Sequence, residues 1–272
     1  MAGTKRTSVY EQILCRVFEI HHNDGDERVE WIREALNEAA DELGVSRVKN
    51  LGDLVYSYRF RRDMPAAINA TAPAGKEWII RGAGIAKYRF DLIPAQIPIV
   101  PNRSLAVTKI PDATPEIIAS SALGDEQALL AKVRYNRLID VFLGVASYSL
   151  QNHLRTTAIE IGQVEVDEIY VAVDRHGRQF ILPVQAKGGS DRLGITQTEQ
   201  DMAACAEKWP DMICRNISVQ FAGQGLIALF ELTVQDDRVV IRREAHYKLV
   251  PSREITPEDL DSYGLAAGPE DA

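Results

Sequence analysis

The chain has 272 residues, 46% hydrophobic and 26% charged, the balance of a folded soluble protein and enough length for one large or two modest domains. No apolar run reaches the roughly 18 residues of a membrane helix, the N-terminus does not read as a secretory signal, and three cysteines without paired spacing suit reduced thiols in a cytoplasm. A net charge of −8 argues against nucleic acid as a partner, but the segment 251–272 carries one basic residue (Arg253) against six acidic ones, so the body is closer to neutral and local basic patches decide the matter.

Apolar spacing predicts a helix over residues 9–20, with Ile13, Leu14, Val17 and Phe18 on one face. A second, longer helix is expected over 24–43, with Val29, Ile32, Leu36, Ala39 and Leu43 aligned and Gly44 ending it. A third begins near Ser46, runs through LGDLVYSYRF, and stops before Pro65. Two strand-like runs over 77–92 flank Gly82, Ala83 and Gly84 and predict a hairpin. Three helices and a hairpin make the layout of a winged-helix module over 1–105. Prolines 94, 98, 101, 111 and 115 predict an extended arm that does not pack.

Helical signal returns over 115–157, including LIDVFLGVASYSLQNHLRTT as a buried helix with a polar end. VEVDEIYVAV and QFILPVQA, joined by a turn at Gly177, predict a hairpin. GITQTEQDMAACAEKW predicts an amphipathic helix ended by Pro210, ISVQFA a strand, and LIALFELTV with RVVIRREAHYKLV a last hairpin. The domain so outlined spans 106–250, and 251–272 reads as a short acidic tail, partly ordered at best.

Side chains alternate along a strand, so Glu165 and Asp167 share one face, as do Gln185 and Lys187 on the next strand. If the two strands pair through the turn near Gly177, their open ends bring Asp167 to Gln185 and Lys187. Mg²⁺ takes hard oxygen ligands and keeps several waters. Asp167, the Gln185 amide oxygen and the Ala186 carbonyl are the expected ligands. Lys187 would neutralise phosphate charge or help deprotonate the attacking water. Gly188 and Gly189 would let a backbone come close to a ligand.

The run EVDEIYVAV…LPVQAKGG resembles the PD-(D/E)xK nuclease superfamily, the restriction-endonuclease-like fold. Asp167 stands for the acid, and Gln185-Ala186-Lys187 is similar to the Q-x-K variant of Mrr-type restriction enzymes. The E-V-D strand also resembles that of Holliday-junction resolvases. The resemblance implies an α/β fold, a mixed sheet flanked by helices in the order helix, three strands, helix, strand over about 138–221. It also implies hydrolysis of DNA phosphodiesters with Mg²⁺, Mn²⁺ serving as substitute. Val166 replaces the usual proline, and Gln185 removes one charge from the metal site unless Glu165 or Glu160 compensates. Gln197 and Gln200, on the following helix, resemble glutamines that some members carry there.

Other chemistries find little footing. His21 and His22 lack a third ligand at zinc spacing, and no glycine-rich phosphate loop follows a strand. A DNA-contacting face is expected from Arg47, Lys49, Arg59, Arg61, Arg62, Arg81 and Lys87 in the first domain, with Arg155 and Arg192 gripping the strand near the metal site. These readings give a metal-dependent DNA endonuclease of restriction or defence type, acting on double-stranded DNA. A homodimer would suit cutting both strands, and a methyltransferase encoded nearby would suit a restriction system. Two rivals stay open: an inactive DNA-binding protein on the same fold, and a repair or recombination nuclease acting on branched DNA.

Overall fold

The structure, a computed structural model, describes residues 8–121, 126–159, 161–187, 194–223 and 225–266. Ser8 caps the first helix through its hydroxyl, and α1 (Val9–His21) buries Ile13, Leu14, Val17 and Phe18 in one stripe. The helix expected over 24–43 is instead a strand, β1 (Arg28–Ile32), and a shorter helix, α2 (Ala35–Glu42). Val29, Ile32 and Leu36 fit a helical period, but burial follows a period of two: Val29 and Trp31 point inward while Ile32 is 54% exposed.

Asn50 caps α3 (Leu51–Tyr56), which runs on through a π-helical turn at Ser57–Arg61. The short α4 (Ala66–Asn69) follows Pro65. The hairpin β2 (Lys76–Gly82) and β3 (Lys87–Pro94) completes an antiparallel sheet of order β1-β3-β2. Phe18 meets Trp78 and Phe90 edge-on, each at 5.1 Å, at the centre of this core. Such pairs contribute about 0.5–1.5 kcal/mol beyond their burial.

The proline-spaced arm is not wholly free of packing. Its end forms β4 (Val107–Pro111), which pairs in parallel with the last strand of the second sheet, where an edge position tolerates Pro111. Then come α5 (Glu116–Ser121), α6 (Glu126–Tyr135) and α7 (Leu138–Leu143). The long helix expected through residue 157 stops at Gly144, whose φ of +65° closes α7 in the left-handed conformation. Residues beyond it form β5 (Ala146–Ala158). Ser, Asn and Thr there compete with helical hydrogen bonding, and most of the strand's side chains face solvent, so no apolar alternation announces it.

β6 (Gly162–Val173) and β7 (Gln179–Lys187) form the expected hairpin, followed by α8 (Ile195–Lys208), the two-residue β8 (Ile213–Cys214) and β9 (Asn216–Phe221). β10 (Leu226–Gln235) and β11 (Arg238–Val250) make the last hairpin. The sheet is mixed, in the order β4-β11-β10-β9-β7-β6-β5 with β8 beside β7. β9 runs parallel to β7, and its other ladders are antiparallel except β4–β11 and β7–β8. Leu129, Val133, Ile139 and Phe142 of α6 and α7 cover one face, and Ala204 and Cys205 of α8 cover the other.

The acidic tail is more ordered than expected. α9 (Pro257–Ala266) lies against β4, where Lys109 bonds Asp259 at 2.8 Å and its backbone N–H reaches the Tyr263 hydroxyl at 2.9 Å. The two sheets meet along a seam. Gln96 bonds the Asp237 carbonyl and the Val239 N–H, and Gly82 lies so close to Ile161 that a Cβ there would stand 2.0 Å from its carbonyl oxygen. Among the described residues no helix is long and apolar enough to cross a membrane.

Candidate functional site

The β6–β7 ladder ends at the pair Glu168–Val184. One step further in the same register, Asp167 faces Gln185. Here a side chain takes over from the backbone: Asp167 Oδ2 accepts from the Ala186 N–H at 3.0 Å. In an extended residue N–H and C=O lean to the same edge, so the Ala186 carbonyl lies on the Asp167 side as well. Gln185 points under α8, where its Nε2 donates to Asp201 Oδ2 at 3.0 Å and to the Glu165 carbonyl at 3.3 Å. Lys187 Nζ donates to Gln197 Oε1 at 2.7 Å. The three residues singled out by alternation therefore gather at one end of the hairpin, beside α8. Asp167 and Lys187 are half-buried, and Gln185 is fully buried.

Burial raises the Asp167 carboxyl above the usual aspartate range, and the nearby Glu165 charge adds to this. The Ala186 N–H, Lys187 and His153 offset part of it. Deeper in, burial pushes the Asp201 carboxyl up to about 8, against the pull of Gln185 and Lys187. Gln185 Oε1, Asp201 Oδ1, Gln200 Nε2 and Asn216 Nδ2 are buried without a hydrogen-bond partner among the described residues. Gln185, Gln197, Asp201, Asn216 and Ser218 line a cavity of about 10 Å³, room for a single water bridging such atoms.

Glu165 shares the Asp167 face but is pulled towards solvent, where Arg155 bonds it at 3.1 Å. Gln200 is buried in α8. Glu160, Arg192, Gly188 and Gly189 lie outside the described residues. Glu168 points to the opposite face, fully buried, and accepts from Arg134 and Ser149. Sequence reasoning missed Asp201, the acid that holds Gln185. Its signal was a lone carboxylate one turn after Gln197, and one turn before Ala204 and Cys205 on the buried face of the helix.

The basic residues separate into three groups. Arg61, Arg62, Lys49 and Lys87 are exposed. Arg47 is paired with Asp41 at 2.9 Å, and Arg155 with Glu165. Arg81, expected on a DNA face, is instead enclosed in the seam, bonded to Asp91 at 3.0 Å, Glu199 at 2.6 Å and Asp237 at 2.9 Å. Three carboxylates leave it no free fork for a phosphate. Arg59 is also turned inward, with no partner for its Nε and Nη2 among the described residues.

The donor set at Asp167 is of hard oxygens: a carboxylate, a backbone carbonyl and an amide oxygen without a partner. That chemistry suits Mg²⁺ and Mn²⁺ rather than zinc. Among the described residues no group of three or more His, Cys, Asp and Glu side chains stands close enough to hold a metal. An ion at Asp167 would thus keep most of its waters, as Mg²⁺ does. No protein-family model matches the chain, and no curated protein matches its sequence.

Proposed function

We propose that this protein is a divalent-metal-dependent DNA endonuclease of the PD-(D/E)xK type, with a winged-helix unit before it. The observation that carries the reading is the meeting of Asp167, Gln185 and Lys187 at the open end of the β6–β7 hairpin. The path from α7 through β5, β6, β7 and α8 to β9 also supports it: a helix, three antiparallel strands, a helix, and a strand parallel to the third. The sequence offered β6, β7 and β9 of those strands but not β5. The first unit runs helix, strand, three helices and hairpin, the third helix (α4) being a single turn, with β3 between β1 and β2; apart from that added turn the order fits a winged helix.

Asp167 would hold the ion, with the Ala186 carbonyl and the Gln185 amide as neutral donors. Bound Mg²⁺ or Mn²⁺ would polarise the phosphodiester and lower the pKa of an attacking water. Lys187, steadied by Gln197, places a positive charge where the phosphate's charge grows. Asp201 orients Gln185 from behind. Arg61, Arg62, Lys49 and Lys87 remain exposed for phosphate contacts that position a duplex. A restriction setting, with a homodimer and a nearby methyltransferase, follows only by analogy with this design.

The test is plasmid cleavage with Mg²⁺ alongside calorimetric metal titration. Asp167→Ala and Lys187→Ala are each expected to lower cleavage by roughly 10²–10³-fold or more while DNA binding persists. Undiminished cleavage by Asp167→Ala would place the site elsewhere. A second reading, an inactive DNA-binding protein on the same fold, is favoured by the engagement of the Gln185 amide with Asp201 and Glu165. It predicts no metal heat and no cleavage by the wild type. Branched substrates in the same assay separate a repair nuclease from a restriction enzyme.

A further inference from the structure

A cleft distinct from the small cavity beside Gln185, though bordered by the same Gly194, runs along the seam between the two sheets. Its volume is about 780 Å³, within the range of small-molecule sites. Tyr58, Phe60, Ile97 and Pro98 give it apolar walls, and the first residues of α8, Gly194 to Thr196, close one end.

Two positive features without an acidic partner among the described residues border this space. Arg59 lines the cleft from the middle of the π-helical turn, a distortion that recurs at functional sites. Its Nε and Nη2 are buried and unbonded among the described residues, and its guanidinium carbon lies 4.9 Å from the Phe60 ring. Burial pushes its pKa down to about 10, and among the described residues the groups that oppose this are Tyr88 and Tyr56, not a carboxylate. A buried cation without an anion costs several kcal/mol, which a protein without use for it would shed by mutation. The second feature is the N-terminus of α8, a 14-residue helix with no side-chain cap and no acidic residue in its first turn. Its first N–H groups, without a side-chain acceptor among the described residues, and its dipole favour an anion. Arg61 and Arg62 stand at the rim with Asp63 and Glu77, and Glu77 is engaged by the Gln96 N–H at 3.1 Å.

We propose that the cleft binds a phosphate-bearing small ligand of nucleotide size, its phosphate held between the Arg59 guanidinium and the N-terminal N–H groups of α8. A planar fork with a ring of backbone donors suits phosphate oxygens. The full width of a duplex would not enter a cleft of this volume, so the phosphate is that of a free nucleotide or of a strand end. The proposal is independent of the metal site, and its test reads binding and melting rather than cleavage.

The wild type and Arg59→Met are titrated calorimetrically with inorganic phosphate, adenosine monophosphate, and a short oligonucleotide bearing either a 5′-phosphate or a 5′-hydroxyl. Melting temperatures are followed in parallel. At least one phosphate-bearing probe should bind the wild type and raise its melting temperature, with affinity roughly 10–100-fold weaker in Arg59→Met. The mononucleotide binding best assigns the site to a free nucleotide, and the 5′-phosphorylated oligonucleotide binding best assigns it to a strand end. Ligand-free Arg59→Met should melt at or above the wild-type temperature, because an unpaired charge has gone. Three results would each overturn the proposal: no phosphate-bearing probe binding the wild type at roughly 10 mM, far weaker than a functional site; equal affinity in the variant; or a less stable ligand-free variant.

Discussion

Two arginines of the first sheet's unit turn inward along the same seam, and their surroundings differ in kind. Arg81 meets Asp91, Glu199 and Asp237, so its charge is met three times over and its pKa rises despite burial. Arg59 meets an aromatic ring, an open cleft and the positive end of a helix. The first arrangement is complete in the folded chain and holds β2 to α8 and to the β10–β11 turn. The second is incomplete until something negative arrives. Burial alone therefore does not separate a structural cation from a binding one; the count of acids around it does. The same contrast divides two neighbouring acids on β6. Glu168 is enclosed by Arg134 and Ser149, whereas Asp167 has a single backbone N–H and an edge open to solvent.

Breaking the completed site should have the largest effect. Arg81→Leu leaves Glu199 and Asp237 without their shared cation and removes one of the partners of the buried Asp91. Loss of one member of such a buried network costs about 3–5 kcal/mol. Urea unfolding should show it as a lower midpoint, and hydrogen exchange should rise on both sides of the seam. A midpoint within experimental error of the wild type would mean that the seam contributes little. Arg59→Met, at a comparable depth, should move the midpoint in the opposite direction or not at all.

The next test tightens the same seam without touching charge. Gly82 follows Arg81, and a Cβ there would meet the Ile161 carbonyl oxygen at 2.0 Å. Backbone cannot give way as a side-chain tip can, so Gly82→Ala should cost about 1–3 kcal/mol as the hairpin backs off. Because that retreat lengthens the Arg81 bonds, combining Gly82→Ala with Arg81→Leu should cost less than the sum of the two. Combined with Arg59→Met, which takes no part in the Arg81 cluster, the effects should add. Additivity in both pairs would show that the close approach and the ion cluster are separate.

These contrasts also mark how far the sequence could be read. Asp167, Gln185 and Lys187 were legible because strand alternation and a turn at Gly177 are local rules. Nothing local foretells that Arg81 finds Glu199 and Asp237, which lie 118 and 156 residues further along the chain. Its neighbours in sequence made it look like a hairpin cation for DNA. β5 was hidden for a different reason: it is exposed along most of its length, so it lacks the apolar period that reveals a strand, and the buried α7 before it lent it a helical look. At β1, Val29 served both a helical and a strand period, and only the burial of Trp31 rather than Ile32 decides between them. Asp201 sat on a helix whose glutamines drew attention by resemblance. Its burial under the sheet is a tertiary fact.

The smallest expected effect concerns acid. Asp91 is buried, which by itself would raise its pKa, but the bonds from Arg89 and Arg81 outweigh burial and hold it below the ordinary value of 3.8. A folded-state pKa below the unfolded one means that the unfolded chain takes up the proton first as pH falls. The stability Asp91 contributes is then fully present above about pH 3.8 and is lost as pH drops below it through the folded value. Other depressed carboxylates, Glu231 beside Arg215 among them, titrate in the same region. The informative quantity is therefore the difference between wild type and Asp91→Asn. That difference should be constant from neutral pH to about 4 and shrink below it, since a protonated Asp91 resembles the amide. A gap that instead widened in acid would mean that burial, not the arginines, governs Asp91, and that the Arg81 cluster is less complete than its geometry implies.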